Sequence, residues 1–349
     1  MKNRLSGNRF IGILTCDIVT CWIDLFCLRD NLPSVRILLN YNGLSKKPSL
    51  FRSLTGIDVS EFDSFYTQAA SKYRDYEAKR LARENRKRKV GAGYPFKLSL
   101  QERLLMLLVY YRLYITSTLA GVLFDLDQSN VLKDIHKLEP LVKEVLPIPK
   151  KLHDKARRLQ TLQEIKELFP ELKAFVDATE QEIPRPKAKK KRSTHYSGKK
   201  KRHTVKTQLT VNSDGLIVHK TLHVRGSKHD YALFRHCRPH LPDEVRLEGD
   251  LGYEGVKKDY PFLNFAVPYK KKSPGRGKRE VKAEELTAEQ KAFNKALSKE
   301  RVVVEHTNSR VKKFQIWGGE FRNRLKRYDI MTDIVSGLVN FRIAGTLAI

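Results

Sequence analysis

The chain has 349 residues, of which 40% are hydrophobic, enough for one large folded domain or two ordinary ones and too many for a disordered tail protein. Its formal net charge of +29 makes nucleic acid the leading partner, because each phosphate that Lys or Arg neutralises releases counterions. A merely basic, soluble protein is the plain alternative. An anionic membrane fits less well, since the charge is spread along the chain rather than clustered beside an amphipathic anchor.

An atypical apolar extension occupies residues 1–38. Its segment 10–28 resembles a signal anchor, but Asp17 and Asp24 interrupt it, and a central Asp costs a membrane helix about 2.5–3.5 kcal/mol. We therefore expect an upstream extension of the reading frame or a peripheral segment, and no membrane contact. The 4 cysteines lack the spacing of a disulfide or zinc framework, so we expect reduced thiols in the cytoplasm.

Residues 39–146 predict an all-helical domain. An amphipathic helix over 60–88 leads into a linker, and Ser99 then predicts an N-cap, with Glu102 completing a capping box. Three helices with a tight turn before the last resemble a helix-turn-helix, whose final helix enters the major groove. A helical bundle used for packing or dimerisation is the alternative. On the first interpretation the residues that contact DNA are Gln128, Ser129, Asn130 and Lys133.

Residues 147–170 predict a linker, in which Pro147 and Pro149 begin a hinge and a short helix follows. Residues 171–349 then alternate strands with helices, which indicates an α/β domain with a mixed sheet and helices on its faces. The strands are expected at 173–179, 203–211, 216–224, 245–253 and 265–269, before a long helix over 287–313. A basic insert at 185–206 and a polar insert at 270–286 interrupt this pattern.

Three acids stand where a metal-dependent nuclease would need them. Asp177 and Asp250 end short apolar runs, and Glu305 lies on the long helix. Two strands and a helix that present carboxylates to one point could hold two hard divalent cations, and Mg²⁺ prefers such oxygen ligands. Arg301, Glu305, Asn308 and Lys312 share one face of the helix. The alternative for Arg301 and Glu305 is a surface ion pair of about 0.3–0.5 kcal/mol.

Four ordered segments carry a family resemblance. They are VDATEQEIPRP, the pair YSGKKKRHTVKTQLTVNSDG and GSKHDYALFR, then GDLGYEG, and KERVVVEHTNSRVKKF. From about residue 40 onward the chain resembles an insertion-sequence transposase of the DDE superfamily, in the bacterial group related to Harbinger-type elements. Arg301, Glu305 and Lys312 reproduce the R-x3-E-x6-K spacing of many such enzymes, although Ser298 stands where some relatives carry Tyr.

The resemblance implies an RNase H-like catalytic domain and a two-metal transposase. Asp177, Asp250 and Glu305 would be both the catalytic residues and the ligands of two Mg²⁺ ions, which Mn²⁺ can replace. The enzyme would cut double-stranded DNA at terminal inverted repeats and join the freed 3′-hydroxyl to target DNA. It would act as a homo-multimer associated with the nucleoid. The further DNA contacts would be Arg301, Asn308, Lys312, Lys199, Lys200, Lys201, Arg202 and His203.

Two functions from other classes remain open at this stage. The chain could be a catalytically silent, transposase-derived DNA-binding regulator, or an RNase H-like nuclease without strand transfer. Among the other acids, Glu248 is expected to be a neighbour of the metal site or an alternative ligand, and Asp230 an N-cap. Trp317 is expected in the core, with stacking on a frayed base as the alternative.

Overall fold

The computed structural model describes residues 38–82, 93–271 and 285–345. The expected extension therefore lies outside the described residues except for Leu38, and so do Cys16, Cys21 and Cys27 and most of the polar insert. No helix within the described ranges is both long and apolar enough to cross a membrane. The first helices are α1 (Tyr41–Leu44), α2 (Pro48–Thr55) and α3 (Val59–Leu81).

The three predicted helices of the N-terminal half are present. They are α4 (Leu100–Leu113), α5 (Ser117–Phe124) and α6 (Gln128–Val145). The Ser99 side chain accepts the Glu102 N–H at 3.2 Å, as the N-cap prediction requires. The predicted capping box is wrong in its second half, because the Glu102 carboxylate accepts the N–H of Tyr41 at 2.9 Å instead. Glu102 thus joins α4 to α1.

A tight turn separates α5 from α6. Asp125 adopts the left-handed conformation there, and Leu126 donates its N–H to the Gly121 carbonyl at 2.8 Å. A Cβ on Gly121 would stand 2.4 Å from the Leu126 carbonyl oxygen, so only glycine lets the turn close this tightly. The exposed start of α6 then projects from the surface with Gln128, Ser129, Asn130 and Lys133.

A buried ion pair fixes α6 to α4. Arg103 donates from Nε and Nη2 to the Asp134 carboxylate at 2.6–2.9 Å, and both residues are almost fully buried. The remaining Nη1 donates to the Tyr73 hydroxyl at 2.8 Å, and the guanidinium lies 3.7 Å from the Phe96 ring centroid. Each buried charge thus has its counter-ion and hydrogen-bond partners. Because the contact is bidentate, it also fixes the orientation of α6 on α4.

The hinge predicted at Pro147 and Pro149 is wrong. The segment forms α7 (Pro149–Ala156), followed by α8 (Leu162–Leu168). Pro149 occupies the first helical position. Its fixed φ suits a helix, and its lack of an N–H costs nothing because N–H groups in the first turn have no acceptor within the helix. Helix α7 packs against the sheet and contributes Leu152 and Ala156 to the core on that side.

The second half contains the predicted mixed sheet with helices on its faces. Its strands are β1 (Lys173–Glu182), β2 (Tyr196–Ser197), β3 (Arg202–Asn212), β4 (Ile217–Lys220), β5 (Val224–Arg225), β6 (Arg246–Glu248) and β7 (Phe265–Ala266). Strand β3 pairs antiparallel with β1 on one edge and with β2, β4 and β5 on the other. Strands β6 and β7 then extend the sheet in parallel with β1.

Several predicted boundaries shift. Strand β1 is longer than expected, whereas the strand predicted over 245–253 ends at Glu248 and a 3₁₀ turn (Leu251–Tyr253) follows. The basic insert is partly ordered as a helix and the β2–β3 hairpin. The helices of this half are α9 (Lys189–His195), α10 (Asp230–His236), α11 (Val256–Asp259), α12 (Ala288–Lys312), α13 (Gln315–Gly318) and α14 (Tyr328–Ala344).

The two faces of β1 meet different helical layers, because side chains alternate along a strand. Ala174 and Val176 belong to the core cluster that contains residues of α7, α8 and α10. Phe175, between them, belongs to a second cluster shared with α12, α14 and the N-terminal helices. Asp177 lies two residues after Phe175, so its side chain is on the same face of the sheet, toward α12.

Helix α14 joins both halves of the chain. The Asn340 amide accepts the Ile217 N–H at 2.8 Å and donates to the Ile217 carbonyl at 3.0 Å, so it bonds to β4 as a strand would. On the same helix, Asp333 pairs with Lys143 of α6 at 2.7 Å and with Lys220 of β4 at 3.1 Å. Helix α6 and the sheet are therefore both bonded to α14.

We predict that removing one partner of the buried Arg103–Asp134 pair is strongly destabilising. Arg103→Met should lower the free energy of unfolding by about 3–5 kcal/mol, since it leaves the Asp134 charge buried without its counter-ion. Urea denaturation followed by circular dichroism measures this. The double variant Arg103→Met with Asp134→Leu should recover most of the loss, and a double variant as unstable as the single one would contradict the argument.

Candidate active site

Asp177 and Asp250 are neighbours across the sheet. Strands β1 and β6 run parallel with Phe175 opposite Glu248, and each acid lies two residues further along its strand direction. Adjacent strands stand about 4.8 Å apart, so this register brings the two carboxyl groups to the same place. Asp250 also caps the following 3₁₀ turn, because its Oδ1 accepts the Gly252 N–H at 2.9 Å. Both acids are half-buried.

Helix α12 crosses the sheet beside Asp177. The Asn308 side chain donates from Nδ2 to Asp177 Oδ2 at 2.7 Å. Glu305 lies on the same helix, one turn before Asn308, and is exposed. Arg301 lies one further turn back and is close enough that its charge acts on Asp177. Asn308 was predicted to contact DNA, but its amide N–H is committed to the first acid.

The electrostatic environment of Asp177 disfavours its charge. Burial, and then the negative charge of Asp250, raises the pKa of Asp177 from 3.8 to about 6, and Arg301 opposes that shift. Asp230 adds a smaller repulsion. A half-buried carboxyl with a raised pKa beside a second carboxyl is a site where a divalent cation would be stabilising, since it would neutralise both.

The donor set suits a hard cation, although it is not a closed cage. Among residues 38–82, 93–271 and 285–345, no three His, Cys, Asp or Glu side chains converge closely enough to hold a metal ion. Asp177 and Asp250 nevertheless offer carboxylate oxygens, which Mg²⁺ prefers. Asn308 is only 9% exposed, and within the described part of the chain its Oδ1 has no hydrogen-bond partner. Asn308 lines the same cleft as Asp177.

A basic cleft opens on Asp177. Its volume is about 470 Å³, and β1, the β2–β3 turn, the loop before α10 and the end of α12 line it. Five lysines contribute to its walls, namely Lys199, Lys200, Lys206, Lys228 and Lys312. Burial lowers the pKa of Lys312, and the positive charge of Lys200, which lines the same cleft, lowers it further. Such crowding of cations favours an anionic ligand.

Two of these lysines, Lys206 and Lys228, were not among the DNA contacts predicted from the sequence. Lys206 is buried between Glu180 at 3.4 Å and Asp230 at 2.8 Å, and its Nζ also donates to the Lys228 carbonyl. Asp230 is therefore not the predicted N-cap. His229 has that position, and the Asp230 carboxylate is held by Lys206 near Asp177. Lys206 and Glu180 are cross-strand partners, a signal that only the register of β1 and β3 reveals.

Other predicted residues have structural partners. Glu248 is fully buried and lies 3.3 Å from Arg246 Nε, and burial together with the Glu300 carboxylate raises the pKa of Glu248 to about 7. Trp317 is 1% exposed, which excludes base stacking and confirms its place in the core. His203 packs against Tyr196 with ring centroids 5.7 Å apart. The basic turn residues Lys199, Lys200, Lys201 and Arg202 are exposed.

Comparison with known proteins agrees with this arrangement. A model of the DDE superfamily endonucleases matches residues 176–340, which include both adjacent acids and α12. A model of the helix-turn-helix of DDE superfamily endonucleases matches residues 96–148, which include α4 to α6. The chain is 30% identical over 268 residues to a protein of Microchaete diplosiphon named "Probable transposase for insertion sequence element IS702". That match covers 76% of this chain and 88% of the relative.

The chain belongs to the DDE superfamily. Its fold is accordingly the RNase H-like mixed sheet, preceded by a helix-turn-helix, that the sequence predicted. No solved structure gives a significant match. Asp177 lies midway along β1, Asp250 lies two residues beyond the end of the neighbouring β6, and Asn308 joins the helix that carries Glu305 to Asp177.

We predict that the Asp177 charge destabilises the fold at neutral pH. The carboxyl binds its proton more tightly when folded, with a pKa of about 6, than when unfolded, so stability falls as pH rises from about 4 to 6. Asp177→Asn should raise the free energy of unfolding at about pH 7.5 by about 1–2 kcal/mol, a value reduced from the full shift for solvent screening. The gain should vanish near pH 4.

Urea denaturation at the two pH values tests this prediction. Asp243→Asn is the matched control, because Asp243 is an exposed acid just before the amino end of β6. A loss of stability in Asp177→Asn at about pH 7.5 would contradict the prediction, as would an equal gain at both pH values.

We predict that Asn308 supports divalent-metal binding by orienting Asp177. Asn308→Ala should weaken Mn²⁺ affinity about 10-fold or more, the usual effect of removing a side chain that orients a metal ligand. Calorimetric titration of the purified chain with Mn²⁺ measures this without any reaction. Ser309→Ala, which changes the next, exposed residue of α12, should bind Mn²⁺ normally, and equal affinities for both variants would contradict the role.

Proposed function

We propose that this DDE protein is a transposase that cuts DNA at the ends of a mobile element and joins the freed 3′-hydroxyl to target DNA. The observation that carries the proposal is the acid pair Asp177 and Asp250 beside a cleft walled by five lysines. Carboxylates alone would repel a phosphodiester. Carboxylates next to a basic cleft can hold cations while the lysines hold the DNA.

Asp177, Asp250 and Glu305 are proposed as the catalytic and metal-binding residues, with Mg²⁺ as the ion and Mn²⁺ as a substitute. When bound, two such ions would activate the attacking oxygen and stabilise the leaving oxygen of an in-line displacement. Asn308 holds the Asp177 carboxylate in one orientation through its 2.7 Å hydrogen bond. Glu305 lies on the same face of α12 as Asn308 and is proposed to supply the third carboxylate.

The two reactions differ in the attacking group. Water first attacks the phosphodiester at the element's end, which releases a 3′-hydroxyl and leaves a 5′-phosphate on the other fragment. The 3′-hydroxyl then attacks a target phosphodiester, forming one new bond as one target bond breaks. In each reaction one P–O bond forms as another breaks, first by hydrolysis and then by transesterification, so no covalent bond between protein and DNA is needed.

The DNA path follows from the distribution of charge. Lys199 and Lys200 on the β2–β3 turn and Lys312 on α12 line the cleft, and Lys201, Arg202 and His203 extend the same hairpin. Arg301 is proposed to contact phosphate beside them. The exposed start of α6 is proposed to read the terminal repeat through Gln128, Ser129, Asn130 and Lys133. Synapsis of two ends would require a homo-multimer.

We predict metal-dependent nicking at defined positions. Purified full-length chain is incubated with labelled duplex carrying the gene's own flanks, in Mg²⁺, Mn²⁺ or chelator. Nicks are expected with either metal and not with chelator. Asp250→Asn should reduce nicking more than about 100-fold, since changes even outside the ligand shell lower activity by about 10–100-fold. Asp243→Asn should nick as the unaltered chain does.

Tight binding without nicks, identical in both variants, would instead indicate a DNA-binding regulator. Nicks without joined products, when a target duplex is supplied, would indicate a nuclease that lacks strand transfer. Two observations favour the regulator: Glu305 is exposed, and among the described residues no three His, Cys, Asp or Glu side chains converge on a metal site.

A further inference from the structure

A second surface beside Asp250 combines an exposed aromatic ring with lysines. Tyr269 is 45% exposed and lines a shallow depression of about 740 Å³ together with Lys257, Lys270 and Lys271. We call these four residues the Tyr269 surface. Isolated exposed apolar side chains are common in proteins and need no function. Three features set this ring apart.

The first feature is its position on the sheet. Strand β7 runs parallel to β6, with Glu248 opposite Ala266. Asp250 follows β6 by two residues and Tyr269 follows β7 by three, so both lie beyond the carboxyl ends of neighbouring strands. The carboxyl ends of parallel strands meet at one edge of a sheet, so Tyr269 lies at the same edge as the acid pair. It is not in contact with the pair, because Tyr269 bonds to Asn294 and Asp177 to Asn308, which are about 21 Å apart along α12.

The second feature is that the ring is held in place. Asn294 of α12 accepts the Tyr269 N–H at 2.7 Å and donates to the Tyr269 carbonyl at 2.9 Å, which fixes the backbone on both sides. Phe293 meets the Tyr269 ring edge-on, with centroids 5.3 Å apart, and Arg246 of β6 lies over Phe293 at 5.9 Å. A fixed aromatic ring loses little entropy on binding a ligand.

The third feature is the charge around the ring. The Lys257 ammonium lies 5.8 Å from the Tyr269 ring centroid. Lys270 pairs with Glu254 at 3.3 Å and Lys271 with Glu285 at 3.2 Å, but both lysines are exposed. Exposed ion pairs contribute little free energy, so these lysines can exchange their partners for phosphates.

We propose that the Tyr269 surface binds an unpaired nucleotide of the DNA a few nucleotides from the cleaved phosphodiester. The base stacks on the Tyr269 ring, and Lys257 and Lys270 contact the flanking phosphates. An aromatic ring with adjacent cations is the usual arrangement for unpaired DNA, because every base has a face that can stack. This inference rests on the proposed function, which brings DNA to the same edge of the sheet.

The test separates stacking from cleavage by omitting metal. Full-length chain in chelator is titrated into a duplex of the gene's flank that ends in a short single-stranded overhang, with 2-aminopurine as the first unpaired base. A fully paired duplex of the same sequence is the comparison. We expect binding to quench the fluorescence of the unpaired base. Tyr269→Ala should weaken overhang binding about tenfold and leave paired-duplex binding unchanged.

Two further variants make the test specific. Tyr269→Phe keeps the ring and should retain binding. Phe262→Ala removes another aromatic side chain, which is 71% exposed and lies near Arg238. Phe262 precedes the amino end of β7, at the opposite edge of the sheet from Tyr269, so this variant should bind overhangs normally. Equal overhang affinity for Tyr269→Ala and the unaltered chain would overturn the proposal, as would an equal loss in Phe262→Ala.

The outcome is independent of the nicking experiment. A chain that nicks with Mg²⁺ but binds overhangs without Tyr269 would refute this surface and leave the transposase proposal standing. A chain that does not nick but needs Tyr269 to bind overhangs would support the surface and refute the catalytic proposal.

Discussion

Repulsion between the carboxylates of Asp177 and Asp250 is the interaction that the C-terminal half of this structure must accommodate. Parallel pairing of β1 and β6 keeps the two groups adjacent and half-buried, where water screens their charges poorly. The Arg301 charge and the Asn308 amide, both on α12, offset part of that repulsion. Helix α12 therefore has to cross the sheet at this point, and its position determines where Glu305 stands.

Acidic and basic side chains alternate around Asp177 and Asp250. Lys206 neutralises Glu180 and Asp230, which would otherwise add to the negative charge near Asp177. Outside that group the cleft walls are basic, and burial among neighbouring cations lowers the pKa of Lys312. An acidic centre within a basic rim has affinity for both divalent cations and phosphates, whereas either charge alone would attract one and repel the other.

Local sequence signals predicted the elements better than the contacts between them. Helix α12 and the Ser99 N-cap follow from periodicity and capping chemistry, and the acids were recognisable because each follows an apolar run. The Asn308 hydrogen bond to Asp177 depends on how a helix lies on a sheet, which tertiary packing determines. The Lys206 pairings depend on strand register for the same reason. The segment at Pro149 was misjudged because proline both begins helices and interrupts them.

Helix α14 has a consequence for how the protein would measure DNA. Because α14 bonds to Lys143 of α6 and, through Asp333 and Asn340, to Lys220 and Ile217 of β4, the helix-turn-helix and the sheet that carries the acid pair are attached to the same helix. The number of base pairs between the sequence read by α6 and the phosphodiester in the same protomer's cleft would be set by the dimensions of the protein, not by the reach of a flexible tether.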